Sequence, residues 1–212
     1  MTVIVKSPTH SADMMFAAAQ AAFRINDNEY VKVPLSPSGL PNKTLALQFL
    51  GAPDTLTEDD IETGRQIRRY CQGLTLKLLK NNTLSQFEQS LLTVAEQDLI
   101  NESNVALIAY SPVMYARYRA QQRINDQLEQ CLREHLGTPG DKITSTVEVI
   151  RSVHSEKYGC YFITTITECN HNVFFSYKEA LKLNQKYSIK GTVKSHRDAW
   201  STQLTRTKVT QI

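Results

Sequence analysis

The chain has 212 residues, of which 41% are hydrophobic and 21% charged, a composition typical of a soluble globular protein and long enough for two cores. Its formal net charge of +3 says little about partners, but the charge is unevenly distributed. Residues 1–138 hold 13 Lys/Arg against 15 Asp/Glu, whereas residues 139–212 hold 11 against 6, a net of +5. This asymmetry fits a polyanion-binding C-terminal part, and it fits equally a lysine-rich sheet edge in solvent.

The sequence carries no pattern for membrane insertion or secretion. It has no apolar run of about 18 residues, so we expect no membrane span. The first residues lack the order of charged, apolar and cleavage regions that a signal peptide needs. The four cysteines form no CxxC pair and are expected to be reduced thiols of a cytoplasmic protein.

The N-terminal part shows helical patterning that proline interrupts. The elements predicted in chain order are a strand-like segment at 2–6, a helix at 11–24, loop and short extended pieces across 29–53, and helices at 57–79, 84–99 and 112–135. Thr57, followed three residues later by Asp60, is typical of a helix N-terminus. We expect the last helix to end at Gly137, because Pro139 and Gly140 bar its continuation.

From residue 142 onward the hydrophobic period changes to the two-residue period of a strand. Strands are predicted at 142–153, 158–168, 172–178, 186–194 and 201–209. In the first of them we expect Ile143, Val147, Val149 and Val153 to share the buried face. The break at 178–185 is a candidate for one helical turn.

Five short strands with a break between the third and fourth match the order of a small Greek-key barrel. The segment LGTPGD, residues 136–141, is the predicted boundary before it. We therefore predict an α+β protein with a mainly helical domain at 1–138 and a five-stranded OB-like β-barrel at 139–212.

The last two strands, SIKGTVKSHRDAWSTQLTRTKV, resemble the C-terminal ends of bacteriophage proteins of the OB-fold, single-strand-binding type that are encoded among replication genes. The matching positions are Lys190, Gly191, Thr192, Val193, Lys194, His196, Gln203, Leu204, Thr205, Arg206 and Lys208. The resemblance covers residues 139–212, a third of the chain. By analogy it implies single-stranded nucleic-acid binding, and the cytoplasm of a host cell as the location.

An OB groove binds through cations that follow phosphates and aromatic rings that stack on bases. The second and third strands carry six aromatic residues, and adjacent ones point to opposite faces. From the pairs Tyr161/Phe162 and Phe174/Phe175, we take Tyr161 and Phe174 as the candidate stacking rings, with Phe174 beside Lys178. In the opposite assignment, the other ring of a pair faces outward, and an outward ring could also be covered by the helical part.

The cationic candidates lie on the last two strands and their connection. Lys190 and Lys194 share the polar face of the fourth strand, and Arg206 and Lys208 share a face of the fifth. Like charges on neighbouring strands repel unless a polyanion or solvent screens them. The connecting loop adds His196, Arg197 and Trp200; the tryptophan is a candidate for base stacking and equally for closing the barrel end.

The helix predicted at 112–135 offers a second candidate contact. It interleaves tyrosine with arginine, and the secondary candidates are Tyr115, Arg117, Arg119 and Arg123. Tyr115 lies on a face that also suits core packing, so both interpretations stay open.

No motif of catalysis is present: the sequence lacks GxxxxGK[ST], HExxH, GxSxG and GxGxxG. Cys160, Cys169 and His171 fall short of a four-ligand metal site. We expect no enzyme, cofactor or metal, but a non-catalytic single-stranded DNA- or RNA-binding protein of phage replication, recombination or transcription. The alternative is an interaction module or regulatory subunit of a polymerase or replication complex, with the barrel as docking platform. The candidate partners are single-stranded nucleic acid, a replication or transcription protein, and a second copy of the chain.

Overall fold

The computed structural model describes residues 8–33, 39–79, 83–198 and 200–212, with the side chains of 78 and 79 outside the description. The chain divides into two compact units, Met1–Arg119 and Ala120–Ile212. Helices fill the first unit and a closed five-stranded β-barrel fills the second, so the predicted α+β class with an OB-like barrel is confirmed. Residues 120–138, which the sequence analysis grouped with the helical domain, fall within the second unit.

The first unit is built on a short antiparallel strand pair and seven helices among the described residues. These are β1 (Thr9–Ser11), α1 (Ala12–Ile25), α2 (Asn42–Gly51), α3 (Glu58–Gln72), α4 (Thr75–Leu79), α5 (Gln86–Ala95), β2 (Leu99–Asn101), α6 (Val105–Ile108) and α7 (Ser111–Glu129), the last of which continues into the second unit.

Helix α1 is the centre of the first unit because its alanines let other helices approach closely. Phe16, Ala17 and Ala18 are fully buried. Gly64 of α3 lies directly on α1: a Cβ added there would come within 2.6 Å of the Ala17 nitrogen. The interior therefore depends on the smallest side chains at the α1–α3 crossing as well as on apolar bulk.

Two helix starts follow their sequence signals. The Thr57 hydroxyl accepts a hydrogen bond from the Asp60 backbone N–H while the Asp60 carboxylate accepts one from the Thr57 N–H, the reciprocal pattern of a capping box. Ser85 and Glu88 form the same box at the start of α5.

Other predicted boundaries in this unit are wrong. Residues 42–51 form α2 rather than loop, because Pro41 precedes the first helical residue, where it is compatible with a helix start, and the next proline, Pro53, lies beyond the end of the helix. The helix predicted to run to 79 ends at Gln72 before Gly73, and the one predicted to 99 ends at Ala95. Helix α7 ends at Glu129, so Gly137 is not its C-cap. The strand-like segment at 2–6 lies outside the described residues.

The barrel consists of β3 (Lys142–Ser155), β4 (Cys160–Thr167), β5 (Asn172–Tyr177), β6 (Lys186–His196) and β7 (Thr202–Gln211). Its strands follow the order β3-β4-β5-β7-β6 and close by pairing β6 with β3. All neighbours are antiparallel except β5 and β7, which run parallel from Val173 and Thr202. The connection at 178–185 contains no helical turn.

The barrel interior is filled by alternate residues of every strand. Its largest fully buried side chains are Val147, Val149, Ile163, Val173, Phe175 and Ile189. On β6, the inward residues include Tyr187, Ile189 and Val193.

One inward assignment is wrong because β3 contains a bulge. The register shifts between Val149 and Arg151, so Ile150 is an extra residue and the alternation inverts after it. Val153, predicted in the core, is therefore 42% exposed, and Arg151 points outward with it.

Candidate nucleic-acid interface

The outward faces of β4 and β5 carry two neighbouring aromatic rings. Phe162 is paired across the strands with Ser176, and Thr164 with Phe174. The two phenyl rings have centroids 5.8 Å apart and are tilted by 43°. Both rings are half-buried, while Val173 and Phe175 beside Phe174 are fully buried, so the predicted outward direction of Phe174 is confirmed.

Tyr161 is not the outward ring of its pair. It lies two residues before the buried Ile163, pairs with Tyr177 and packs against the barrel core, with its ring 4.9 Å from that of His154. Because side chains alternate along a strand, Phe162 takes the place that the sequence analysis gave to Tyr161.

Two loops extend this pair of rings into a row. Tyr158, at the end of a short turn of 3-10 helix between β3 and β4, is 62% exposed and lies 5.8 Å from Phe162. From the β6–β7 loop, the guanidinium of Arg197 lies 4.5 Å from the centroid of Phe174. Tyr158, Phe162, Phe174 and Arg197 therefore form a row of four flat groups, which we call the aromatic row.

The aromatic row lies in a groove of about 620 Å³. Its described lining residues are Arg151, Val153, Tyr158, Cys160, Phe162, Thr164, Phe174, Ser176, Lys194, Arg197 and Gln203. Three of them are cations and none is acidic. The groove combines apolar rings with uncompensated positive charge, the two requirements of single-strand binding.

A second depression of about 610 Å³ continues the groove past Cys160 and Ser176. It contains three of the predicted cations, Lys178, Arg206 and Lys208. Lys178 is bound to Glu179 at 3.1 Å, and this hydrogen bond and charge raise the lysine pKa. We call this stretch the cationic end.

Around the cationic end, the strands hold like charges side by side. Lys190 and Lys208 are directly paired across β6 and β7, and both side chains are exposed. Next to them the register of β6 and β7 shifts between Lys190 and Thr192, and Arg206 in this stretch has a φ of +52°. A left-handed arginine is strained, and such strain at a charged surface is typical of functional sites.

On the other side of Phe174 lies a third depression of about 580 Å³, which shares Arg151 and Arg197 with the groove. It is lined by His196 but also by Asp198, so it is less cationic. The His196 ring stacks on His135 with centroids 4.0 Å apart, and its Nε2 lies 2.9 Å from the Gly137 carbonyl oxygen.

Trp200 belongs to none of these three depressions. It is 48% exposed on the β6–β7 loop, and its ring lies 5.5 Å from that of His135. His135, in the connection between α7 and β3, therefore packs against both His196 at the end of β6 and Trp200, which gives the tryptophan a packing role.

The secondary candidates on α7 fall into two groups. Tyr115 packs against the first core and its hydroxyl donates to the Gln66 side-chain oxygen at 2.9 Å. Arg117, Arg119 and Arg123 are exposed and enter no ion pair within the described part of the chain. Core packing therefore accounts for the tyrosine but not for the arginines.

Sequence reasoning missed Arg151 and placed Tyr161 where Phe162 lies. Both had a signal. Arg151 interrupts the line of inward valines that runs from Val147 to Val153, and a charged residue in such a line indicates a bulge. Tyr161 shares its face with Ile163, the residue best suited to the barrel core.

No group of three or more metal-ligating side chains occurs among the described residues. Within the same ranges, no helix is both long enough and apolar enough to cross a membrane. Comparison with known protein families, curated proteins and solved structures finds no match to this chain.

Proposed function

We propose that the barrel binds single-stranded nucleic acid without catalysis, holding bases against the aromatic row and phosphates against the cations around it. The observation that carries the proposal is the row itself: three outward rings and an arginine in one groove whose described lining has no carboxylate. The place in phage replication, recombination or transcription rests on the resemblance of the last two strands alone.

The rings provide the sequence-independent part of the affinity. Base–aromatic stacking contributes roughly 1–3 kcal/mol per base, because every base has a π-face. Tyr158, Phe162 and Phe174 are separated by 5.8 Å steps between ring centroids. This spacing suits consecutive unpaired bases, whereas a duplex keeps its bases stacked on one another and away from such rings.

The cations provide the electrostatic part. Arg151, Lys194 and Arg197 line the groove, and Arg206 and Lys208 line the cationic end. None of these five enters an ion pair among the described residues, so their charge is available to phosphates. Each phosphate neutralised on a single strand lowers the slope of log K against log salt by about 0.7.

The test is fluorescence anisotropy of a labelled, unstructured oligonucleotide at two salt concentrations. Unmodified protein should bind with a steep salt dependence. Phe162→Leu and Phe174→Leu keep apolar bulk but remove the ring, and each should weaken binding about tenfold. Replacing Lys190, Lys194, Arg206 and Lys208 together with glutamine should abolish binding, while the far-ultraviolet circular dichroism spectrum stays unchanged.

A matched control removes the same charge from exposed positions outside the three depressions: Lys32, Lys43, Arg69 and Lys182. This variant should retain most of the affinity. Absence of binding at micromolar protein, or an affinity indifferent to salt, would reject the proposal and favour the barrel as a platform for a protein partner.

A further inference from the structure

Strand β7 leaves one of its two edges unpaired over most of its length. One edge pairs with β6 from end to end, whereas the other pairs with β5 at two residues only, Thr202 and Gln203. From Thr205 to Gln211, this second edge has no ladder partner within the described ranges, and no other backbone hydrogen bond printed for those ranges reaches it. Alternate residues there present backbone N–H and C=O groups that another strand can pair with.

Space for another strand lies beside this edge. The ladder between β5 and β7 ends before the depression of about 610 Å³ that contains the cationic end, and this depression is lined by Ser176 and Tyr177 of β5 and by residues 206–209 of β7. The left-handed Arg206 and the shift in register beside it are the marks of a bulge. A bulge bends its strand and can end the pairing with a neighbour.

The charge around the edge selects the ligand. Lys178, Arg206 and Lys208 are exposed in this depression, and its described lining contains no carboxylate. Of the three, only Lys178 has an acidic partner among the described residues, the exposed Glu179. A chain with negative side chains is therefore favoured at this edge, and a basic chain is repelled.

The two sides of the edge differ in polarity, and this predicts a pattern in the ligand. Side chains of an added strand point alternately to the two sides of the sheet. On one side lie Tyr177 and Val209, which are half-buried and pack against the barrel core. On the other side, Lys208 and Lys190 are exposed and paired across β7 and β6. A matching segment alternates apolar and acidic residues.

We propose that β7 binds an extended acidic segment of a protein partner as an additional strand along Thr205–Gln211. A second copy of β7 would bring the cations of one chain beside those of the other. The phosphodiester backbone of DNA accepts hydrogen bonds but donates none, so it leaves the edge carbonyl groups unpaired, whereas a peptide backbone pairs both groups. The proposal goes beyond single-strand binding and does not depend on it.

The experiment measures anisotropy of a labelled peptide of about nine residues that alternates aspartate and valine, long enough to cover the free edge. The full chain is titrated into it without nucleic acid, so failure here leaves single-strand binding untouched. The same peptide with every backbone nitrogen methylated keeps its charge and side chains but cannot donate to a ladder. It should bind at least about tenfold more weakly. Equal binding of the two peptides would overturn the proposal.

Two protein variants test the role of charge. Lys208→Glu places a carboxylate beside the edge, next to Lys190, which favours the folded sheet. It should weaken binding of the unmethylated peptide about tenfold. Lys43→Glu makes the same charge change in the first turn of α2, where a carboxylate suits the helix, and should bind normally. Equal affinity of the two variants would contradict a site at β7.

Hydrogen exchange locates the peptide. A saturating amount of the unmethylated peptide should slow exchange of backbone amides in residues 205–211 and leave those of α1 unchanged, because only the free edge gains hydrogen bonds. Binding without this protection, or no binding at high micromolar protein, would overturn the proposal. Protection of the same amides by a single-stranded oligonucleotide but not by the peptide would assign the edge to nucleic acid instead.

Discussion

The guanidinium carbon of Arg197 lies 4.5 Å from the centroid of the Phe174 ring, at the end of the row of aromatic groups on β4 and β5. A planar cation over a ring does two things at once. It stacks, as a base would, and it carries a charge that a phosphate can neutralise.

These two roles can be separated by two substitutions of Arg197. Lysine keeps the charge but loses the planar stacking, so Arg197→Lys should lower affinity for a single strand and leave the salt slope unchanged. Glutamine loses both, so Arg197→Gln should also reduce the magnitude of the slope by about 0.7. Titrations at three salt concentrations measure both quantities. Identical slopes for the two variants would show that Arg197 contacts no phosphate.

The cysteines provide an internal footprint of the groove. Cys160 is half-buried and lines both the groove and the cationic end, whereas Cys169 is exposed at the β4–β5 turn, outside the three depressions. Burial raises the pKa of the Cys71 thiol to about 12, and also raises the pKa of Cys131. With iodoacetamide, we expect reaction at Cys160 and Cys169 only.

A saturating oligonucleotide should then slow the alkylation of Cys160 and leave the rate of alkylation at Cys169 unchanged. Peptide mass spectrometry measures both rates. Equal protection of both thiols would point to a general change of the protein. No protection of either would place the nucleic acid elsewhere on the chain.

The direction of a side chain can be predicted from the sequence where a strand alternates regularly, and not where a bulge interrupts the alternation. Phe174 lies in a regular strand on the same face as the polar residues Ser176 and Lys178, so the alternation predicts its outward direction. Val153 and Arg151 follow a bulge, where one extra residue inverts every later assignment. The residues of the aromatic row come from two loops and two strands, and no local pattern brings Tyr158 and Arg197 to one groove. Only the closure of the barrel does so.

In the first unit, a single glycine permits the contact of two helices. A Cβ at Gly64 would lie 2.6 Å from the nitrogen and 2.7 Å from the Cα of Ala17, both of which are backbone atoms that cannot rotate away. Gly64→Ala should therefore cost about 2 kcal/mol or more in the free energy of unfolding, from the displacement of α1 against α3. Gly51→Ala is the matched control, because nothing lies within 4 Å of its added Cβ. Urea denaturation should show Gly51→Ala neutral or slightly stabilising; equal losses in both would contradict the packing argument.

Substitution of one of the paired lysines of β6 and β7 should have opposite effects on stability and on binding. Lys190 and Lys208 face one another in register, and like charges in this position destabilise a sheet by a few tenths of a kcal/mol to about 1 kcal/mol. Lys190→Glu turns the repulsion into attraction, so the thermal midpoint should rise by a few degrees while affinity for a single strand falls. Calorimetry and anisotropy on the same preparation measure both. An unchanged midpoint would show that the repulsion is already screened by solvent, and a lower midpoint would contradict the prediction.

Acid should remove the contribution that one buried carboxylate in the first unit, that of Asp60, makes to the free energy of unfolding. Asp60 is fully buried; burial acts to raise its pKa, but hydrogen bonds from Arg24 and Thr57 outweigh burial and lower the pKa below 3.8. Since the folded-state pKa is depressed, the contribution is fully present above about pH 5 and is lost as the pH falls through the lowered pKa. Asp60→Asn keeps the shape but loses the ion pair with Arg24, and should cost about 2 kcal/mol at pH 7. The difference in free energy of unfolding between the two proteins, measured by urea denaturation, should be constant from pH 7 to pH 5 and shrink below pH 4.

The control is Glu58→Gln, which removes an exposed carboxylate of the same helix turn and should show neither effect. If the difference between the Asp60 protein and Asp60→Asn persists unchanged to pH 3, Asp60 acts through its shape and cap geometry, without its charge.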